Sequence, residues 1–330
     1  MNFLRRWLVV QFVIGLGAWI PVGAKEAMLV TSIDEFSDDA VLEIFNFDTK
    51  SWRSLEKSNK TLPKDPSARA EALKPGSARL IEDHAVLEYE LRNGLATELA
   101  NYPSTLDGSA ILEYGDTFCL VGGFDNGEKK LLDSVLCWNP LTIGDLVRPG
   151  QINEGAQASG GWIGLPKMTK GRHQPGAVVM DGKLFVAGGY DTLNHDFLTH
   201  VEVFDDVSQK WYEIAPLKYP RAGLSLVSLD GKIYAIGGYK NHEYLNVVEM
   251  YDPLMNSWKK MSDLNIPRAK FGAVVKANKI FAVGGVKGFR NRDNLKSVEV
   301  FFPKENLWRI SKWPLTQIRG PVRATLVTDV

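Results

Sequence analysis

The sequence predicts an all-β fold assembled from several copies of one small four-stranded sheet, and three observations predict it. Paired glycines recur at Gly122-Gly123, Gly188-Gly189, Gly237-Gly238 and Gly284-Gly285, the last two intervals being 49 and 47 residues. An aromatic residue before an acid or amide recurs at Trp138-Asn139, Phe204-Asp205 and Tyr251-Asp252, with Phe301-Phe302 at the matching place of the last unit. A tryptophan follows each pair, at Trp162, Trp211, Trp258 and Trp308, and an arginine opens the later units at Arg172, Arg221 and Arg268.

The stretch from Arg221 to Trp258 justifies each element of the unit. Leu224 to Leu229 is an apolar run closed by Asp230-Gly231, and Lys232 to Ile236 is a second run closed by Gly237-Gly238. Two such runs around a Asp-Gly turn read as a hairpin. Val247 to Tyr251 then alternates apolar and polar residues, and Trp258 opens a fourth extended piece. Alternation with period two fits antiparallel strands that each have one buried face. A single sheet of this size cannot bury its own faces, so it must stack against neighbours of its own kind.

Hydrophobics, a double glycine, then a separated aromatic and tryptophan at a period of about 50 residues resemble the Kelch repeat. The resemblance covers roughly residues 109 to 313. It implies a β-propeller whose loops joining strands two to three and four to one share the face that commonly binds partners.

Residues 27 to 55 read as a unit without its first strand: Met28 to Ile33 is the second strand, Ala40 to Phe47 the third, and Trp52 opens the fourth. The missing strand stands at the other end of the chain, where Arg319 and Ala324 to Val327 reproduce the arginine and first apolar run. A C-terminal strand completing the first blade removes exposed sheet edges. The interval from Trp52 to Gly122 is too long for one connection, and Ala78 to Ile81, Ala85 to Tyr89 and Leu95 to Leu99 fit a degenerate blade opened by a turn at Pro75-Gly76. The expected fold is therefore a six-bladed Kelch β-propeller over residues 25 to 330, closed by the C-terminal strand, with a five-bladed ring as the alternative. Leu141 to Gly161 reads as a Gly-rich loop.

Residues 1 to 24 read as a secretory signal peptide: Arg5 and Arg6, a mostly apolar Trp7 to Ile20, and small residues ending near Ala24. That core is shorter than the roughly 20 residues a spanning helix needs, so the chain is expected to be secreted without membrane insertion. Charge is balanced, with 39 basic and 39 acidic residues, and nothing in it points to nucleic acid. Its distribution is uneven, because Lys25 to Asp125 carries 10 basic against 19 acidic residues. Such asymmetry can orient a partner.

The expected function is a secreted, monomeric binding module for an extracellular protein or glycan. Candidate contacts on the loop face are Tyr190, Asp191, Tyr239, His242, Lys287, Phe289, Arg290 and Arg292, since aromatics and arginines dominate interface energetics. No cofactor or metal is expected. Plant specifier proteins, also Kelch propellers, hold iron with Glu-x3-Asp-x3-His; here Asp191 to His195 and Asp196 to His200 keep the second half, but Ala187 and Thr192 stand at the glutamate positions. The copper site of galactose oxidase has no matching His-Tyr group. Bacterial sialic acid mutarotases are exported Kelch propellers too, so an exported sugar isomerase is the alternative function, on fold analogy alone.

Three local expectations complete the reading. Cys119 stands where other units have Phe185, Tyr234 and Phe281, and Cys137 replaces Val203, Met250 and Val300 on the neighbouring strand. In an exported chain that placement predicts a cross-strand disulfide, the alternative being two buried thiols. Asn59-Lys60-Thr61 is the one N-glycosylation triplet. Finally, the acidic loop Asp34 to Asp39 is expected beside the basic loop Lys287 to Arg292 if the ring closes, which favours charge pairing over calcium.

Overall fold

The computed structural model describes residues 26–33, 40–55, 61–62, 77–82, 85–90, 96–101, 106–114, 117–138, 162–288, 293–317 and 321–328. The leader, Asn59, the Gly-rich loop, the acidic loop and Phe289 to Arg292 lie outside the described residues. Those described form six four-stranded sheets, and no helix among them is long and apolar enough to cross a membrane.

The first sheet joins Glu26–Ile33, Ala40–Asn46 and Ser51–Leu55 to Val322–Thr328, which pairs antiparallel with the first of them from Glu26 opposite Thr328 to Ser32 opposite Val322. Two segments far apart in sequence, Glu26–Ile33 and Val322–Thr328, thus share one sheet. The second sheet has Ser77–Glu82, Ala85–Glu90 and Ala96–Asn101 in antiparallel order, close to the expected degenerate unit. Its outer strand departs from the repeat: Thr61–Leu62, from earlier in the chain, lies parallel to Ala96–Asn101.

The other four sheets follow the repeat strand by strand. The third contains Ala110–Tyr114, Thr117–Val121, Val135–Trp138 and Trp162–Leu165; the fourth Gly176–Met180, Lys183–Ala187, Val201–Asp205 and Lys210–Ile214. The fifth contains Ser225–Leu229, Lys232–Ile236, Val248–Asp252 and Ser257–Lys260; the sixth Gly272–Lys276, Lys279–Val283, Val298–Phe302 and Leu307–Ile310. Their innermost strands stand side by side from the third sheet to the sixth, and the sixth packs on Val322–Thr328 of the first.

Apolar faces are buried between sheets rather than within them. Phe185 and Val203 of the fourth sheet pack with Ile233, Tyr251 and Trp258 of the fifth, and Tyr234 and Ile236 of the fifth pack with Ile280, Phe301 and Trp308 of the sixth. Each side chain of this size contributes about 1.5–3 kcal/mol when fully buried. Tryptophans also tie some sheets to the one before: Trp211 Nε1 donates to Pro166 O and Trp258 Nε1 to Ala215 O, both at 2.7 Å. Trp52 does the same to Trp313 O at 3.2 Å.

The glycine pair has a steric cause. Gly188 and Gly237 have φ of 65° and 59°, and a Cβ there would lie 2.6 Å and 2.5 Å from the carbonyl oxygens of Arg221 and Arg268. Only glycine lets the end of a second strand approach the segment entering the next sheet this closely.

Cys119 and Cys137 face each other in register in the third sheet and are joined by a disulfide. Both sulfur-bearing residues are buried.

Candidate functional site

Antiparallel order places the loops between second and third strands, and the segments entering each first strand, at one end of the sheets. Three buried ion pairs fix that end. Arg172 pairs with Glu202, Arg221 with Glu249 and Arg268 with Glu299, all six side chains fully enclosed. Each arginine also caps two loop carbonyls. Arg221 Nη1 donates to Gly237 O at 3.0 Å and Val247 O at 2.8 Å, and Arg268 Nη1 to Gly284 O at 3.0 Å and Ser297 O at 3.1 Å.

Each glutamate in turn accepts from the entry segment. Glu202 takes the amide and hydroxyl of Thr169, Glu249 the amide of Lys218, and Glu299 the amides of Asn265 and Ile266. Burial opposes ionisation of Glu202, but the adjacent His200 imidazole, the charge of Arg172 and the Thr169 bonds together hold its carboxyl below the ordinary value. A buried charge of each sign is thus spent on holding loops rather than on chemistry.

The loops so held carry an aromatic seam. Tyr190 and Phe197, opposed in the short hairpin Tyr190–Asp191 with Asp196–Phe197, have ring centroids 4.8 Å apart. Phe197 meets Tyr239 edge-on at 5.5 Å, and Tyr239 meets Tyr244 at 6.0 Å in the hairpin Tyr239–Lys240 with Glu243–Tyr244. Tyr244 Oη then donates to Gly288 O at 3.1 Å, carrying the seam to the sixth sheet's loop. Burial, then the neighbouring Tyr244 and Asp107, push the Tyr239 phenol up to about 12, so it stays neutral and donates a hydrogen bond to Gln174 Oε1 at 3.1 Å.

The sequence-predicted residues divide on this surface. Tyr190 and Tyr239 are brought into one seam. Asp191 instead braces its own hairpin, accepting from the amides of Leu193 and Asn194 and from Asn194 Nδ2 at 2.8 Å. His242 stands exposed at its hairpin tip, with φ of 68°, and Lys287 is exposed on the next loop. Sequence reasoning missed Phe197 and Tyr244, whose signal was their position at the closing end of each loop hairpin. It also missed Gln174, Asp107 and Lys270, which have a repeat position but no motif. Among the described residues no group of three or more His, Cys, Asp or Glu is arranged to hold a metal ion.

Comparison with known proteins agrees with the repeats. The Kelch motif family model matches residues 171–218, 220–265 and 267–311. Kelch-like protein 40 of Xenopus laevis is 31% identical over 137 residues, 42% of this chain and 19% of that protein. Kelch-like protein 33 of Homo sapiens is 40% identical over 83 residues, 24% of this chain and 16% of its own length. The chain therefore spans about a fifth or less of these relatives. Among solved structures, that of YjhT superposes with a TM-score of 0.56 at 17% identity, covering 79% of this chain and 88% of that one. At that identity the likeness shows the fold alone.

Proposed function

From the premise that the chain is a Kelch-repeat protein, we propose that it is a secreted binding module on a six-bladed ring, taking an extracellular protein or glycan on the face of the loop hairpins. The observation that carries this reading is the aromatic seam from Tyr190 through Phe197 and Tyr239 to Tyr244, presented by loops that buried ion pairs hold in place. Large rings on rigid supports are the residues that anchor interfaces at low entropic cost. Lys287, and with it Arg290 and Arg292 of the same loop, would extend the contact with positive charge, and Phe289 with a further ring.

Secretion follows in this proposal from the leader at residues 1 to 24, and a glycan at Asn59 from passage through a glycosylating compartment. The isomerase alternative rests on likeness of fold and export alone.

The test is capture from extracellular fluid and on a glycan array by the tagged chain without residues 1 to 24. Variants Tyr190→Ala and Tyr244→Ala should lose a partner that the wild type retains, while Val207→Ser and Leu254→Ser, exposed at the opposite end of the sheets, should keep it. Equal capture by all four variants would refute the assignment of the face.

A further inference from the structure

One position of the repeat, two residues after the arginine or, in the third sheet, after the Leu106 that replaces it, runs from sheet to sheet at the loop end. Its members are Gly108, Gln174, Gly223 and Lys270, and backbone hydrogen bonds string them together: Gln174 N to Gly108 O at 2.7 Å, Gly223 N to Gln174 O at 2.9 Å and Lys270 N to Gly223 O at 2.9 Å. The string ends on Val322 N, which donates to Lys270 O at 2.9 Å. All four residues have left-handed backbone, with φ of 64°, 53°, 62° and 51°.

That conformation is the province of glycine, and two of the four positions use it. Gln174 and Lys270 hold side chains there against the backbone preference, and strain of this kind persists where the side chain has a use. Gln174 gives its Oε1 to Tyr239, which leaves its Nε2 as a pair of donors. Asp107, one residue before Gly108, accepts from His173 Nε2 at 3.2 Å, and its side chain remains 63% exposed. The hydrogen bond from His173 foremost, with the charge of Lys270 adding to it, keeps the Asp107 carboxyl below its ordinary value. Lys270 lies three links along the backbone string from Gly108, the residue after Asp107.

We propose that this loop end is a subsite for a neutral saccharide unit, read by Asp107, Gln174 and Lys270 with Tyr239 beside them. The inference rests on the binding face proposed above and names what its centre takes. The chemistry runs as follows. An ionised carboxylate only accepts, whereas an ammonium and an amide NH2 only donate. A hydroxyl does both at once, so vicinal hydroxyls satisfy the whole set, each donating to Asp107 and accepting from Gln174 or Lys270. The opposite charges of Asp107 and Lys270 favour neither an anion nor a cation. The rings of Tyr239 and Tyr190 offer apolar surface for the carbon face of a sugar, in the usual mixture of apolar lining and few polar groups.

The experiment is a titration of the chain without residues 1 to 24 by saturation-transfer NMR and calorimetry. The probes are glucose, galactose, mannose, N-acetylglucosamine and their short neutral oligosaccharides, with glucuronic acid as the anionic comparison. Saturable uptake of at least one neutral probe is expected, weakened at least about tenfold by Asp107→Asn, Gln174→Gly and Lys270→Gly. The two glycine variants also relax a left-handed backbone, so their melting temperatures should equal or exceed the wild type's while binding is lost. A merely structural role for Gln174 and Lys270 would not separate the two readouts in that direction. Binding of monosaccharides would identify a free sugar, and binding of oligosaccharides alone a glycan terminus; both uphold the proposal. No saturable neutral probe, preference for glucuronic acid, or uptake unchanged in the three variants would overturn it. Should the neutral probes fail while Tyr190→Ala and Tyr244→Ala still lose a captured protein, the subsite falls and the binding face stands.

Discussion

Arg268 Nη2 donates to Glu299 Oε1 at 2.6 Å with both side chains wholly enclosed, and the same pair recurs as Arg221 with Glu249 and Arg172 with Glu202. In the third sheet the equivalent positions are Leu106, four residues before its first strand, and Leu136, opposite Leu120. Leu106 packs against the cluster containing Leu136, Trp138 and Trp162. One molecule thus contains both solutions to the same structural problem, one ionic and one apolar.

Breaking one pair by half should therefore be worse than removing it whole. Glu249→Leu leaves Arg221 charged and enclosed, and should cost about 3–5 kcal/mol. The double variant Arg221→Leu with Glu249→Leu, copying the third sheet, should regain a large part of that loss in equilibrium urea unfolding. A double variant less stable than the single one would contradict this account.

The disulfide belongs to the same sheet. Its closed loop has a sequence separation of 18 residues, for which the loss of unfolded-state entropy is worth about 3 kcal/mol. Unfolding in the presence of a reductant should show a deficit of that order against the oxidised protein. Without reductant the protein should resist alkylation even when unfolded in urea, because both sulfurs are held in the disulfide, and alkylation of the unreduced, unfolded chain would contradict it.

Acid should release the fourth sheet's loops. The folded carboxyl of Glu202 is depressed, with burial outweighed by the adjacent His200 imidazole, the Arg172 charge and the Thr169 bonds. A depressed carboxyl contributes stability that is full above the unfolded value of about 4.3 and fades as pH falls through the lower folded value. Stability measured from pH 6 downward should decline in the wild type over that window, and Glu202→Gln should show a shallower decline. Parallel curves would remove Glu202 from the explanation.

Sheet spacing is set by small residues. A Cβ on Gly272 would lie 2.5 Å from both Cβ and backbone N of Ala324, across the contact between the sixth sheet and the C-terminal strand. Gly272→Ala should cost about 1–3 kcal/mol by overpacking. Gly231, at φ 66° with open space around it, should accept asparagine with a smaller change in melting temperature.

Most of this architecture was legible. Asp-Gly turns, glycine pairs and tryptophans each do their work within one unit, so a single sequence displays them, and Met28 to Ile33 needed only the missing first strand to be recognised. Glu202 was not legible, since Val201-Glu202-Val203 reads as an alternating strand with an exposed acid, and the partners that enclose it, Arg172 and Thr169, lie some thirty residues away in sequence. Gln174 and Lys270 escaped for a different reason. Gly108 and Gly223 advertise a left-handed backbone, whereas glutamine and lysine carry no mark of it. The outer strand Thr61–Leu62 was hidden by its parallel pairing, which the antiparallel pattern of the other units does not foreshadow.

The pairing of Glu26–Ile33 with Val322–Thr328 sets a timetable for synthesis. Glu26–Ile33 leaves the ribosome long before Val322–Thr328, and the inner edge of its sheet stays unpaired until that later strand has been made. Contacts of such long sequence separation form slowly and leave a strand open to other chains meanwhile. Stalling or premature termination anywhere before Val322 should therefore leave that edge exposed and the product prone to aggregation.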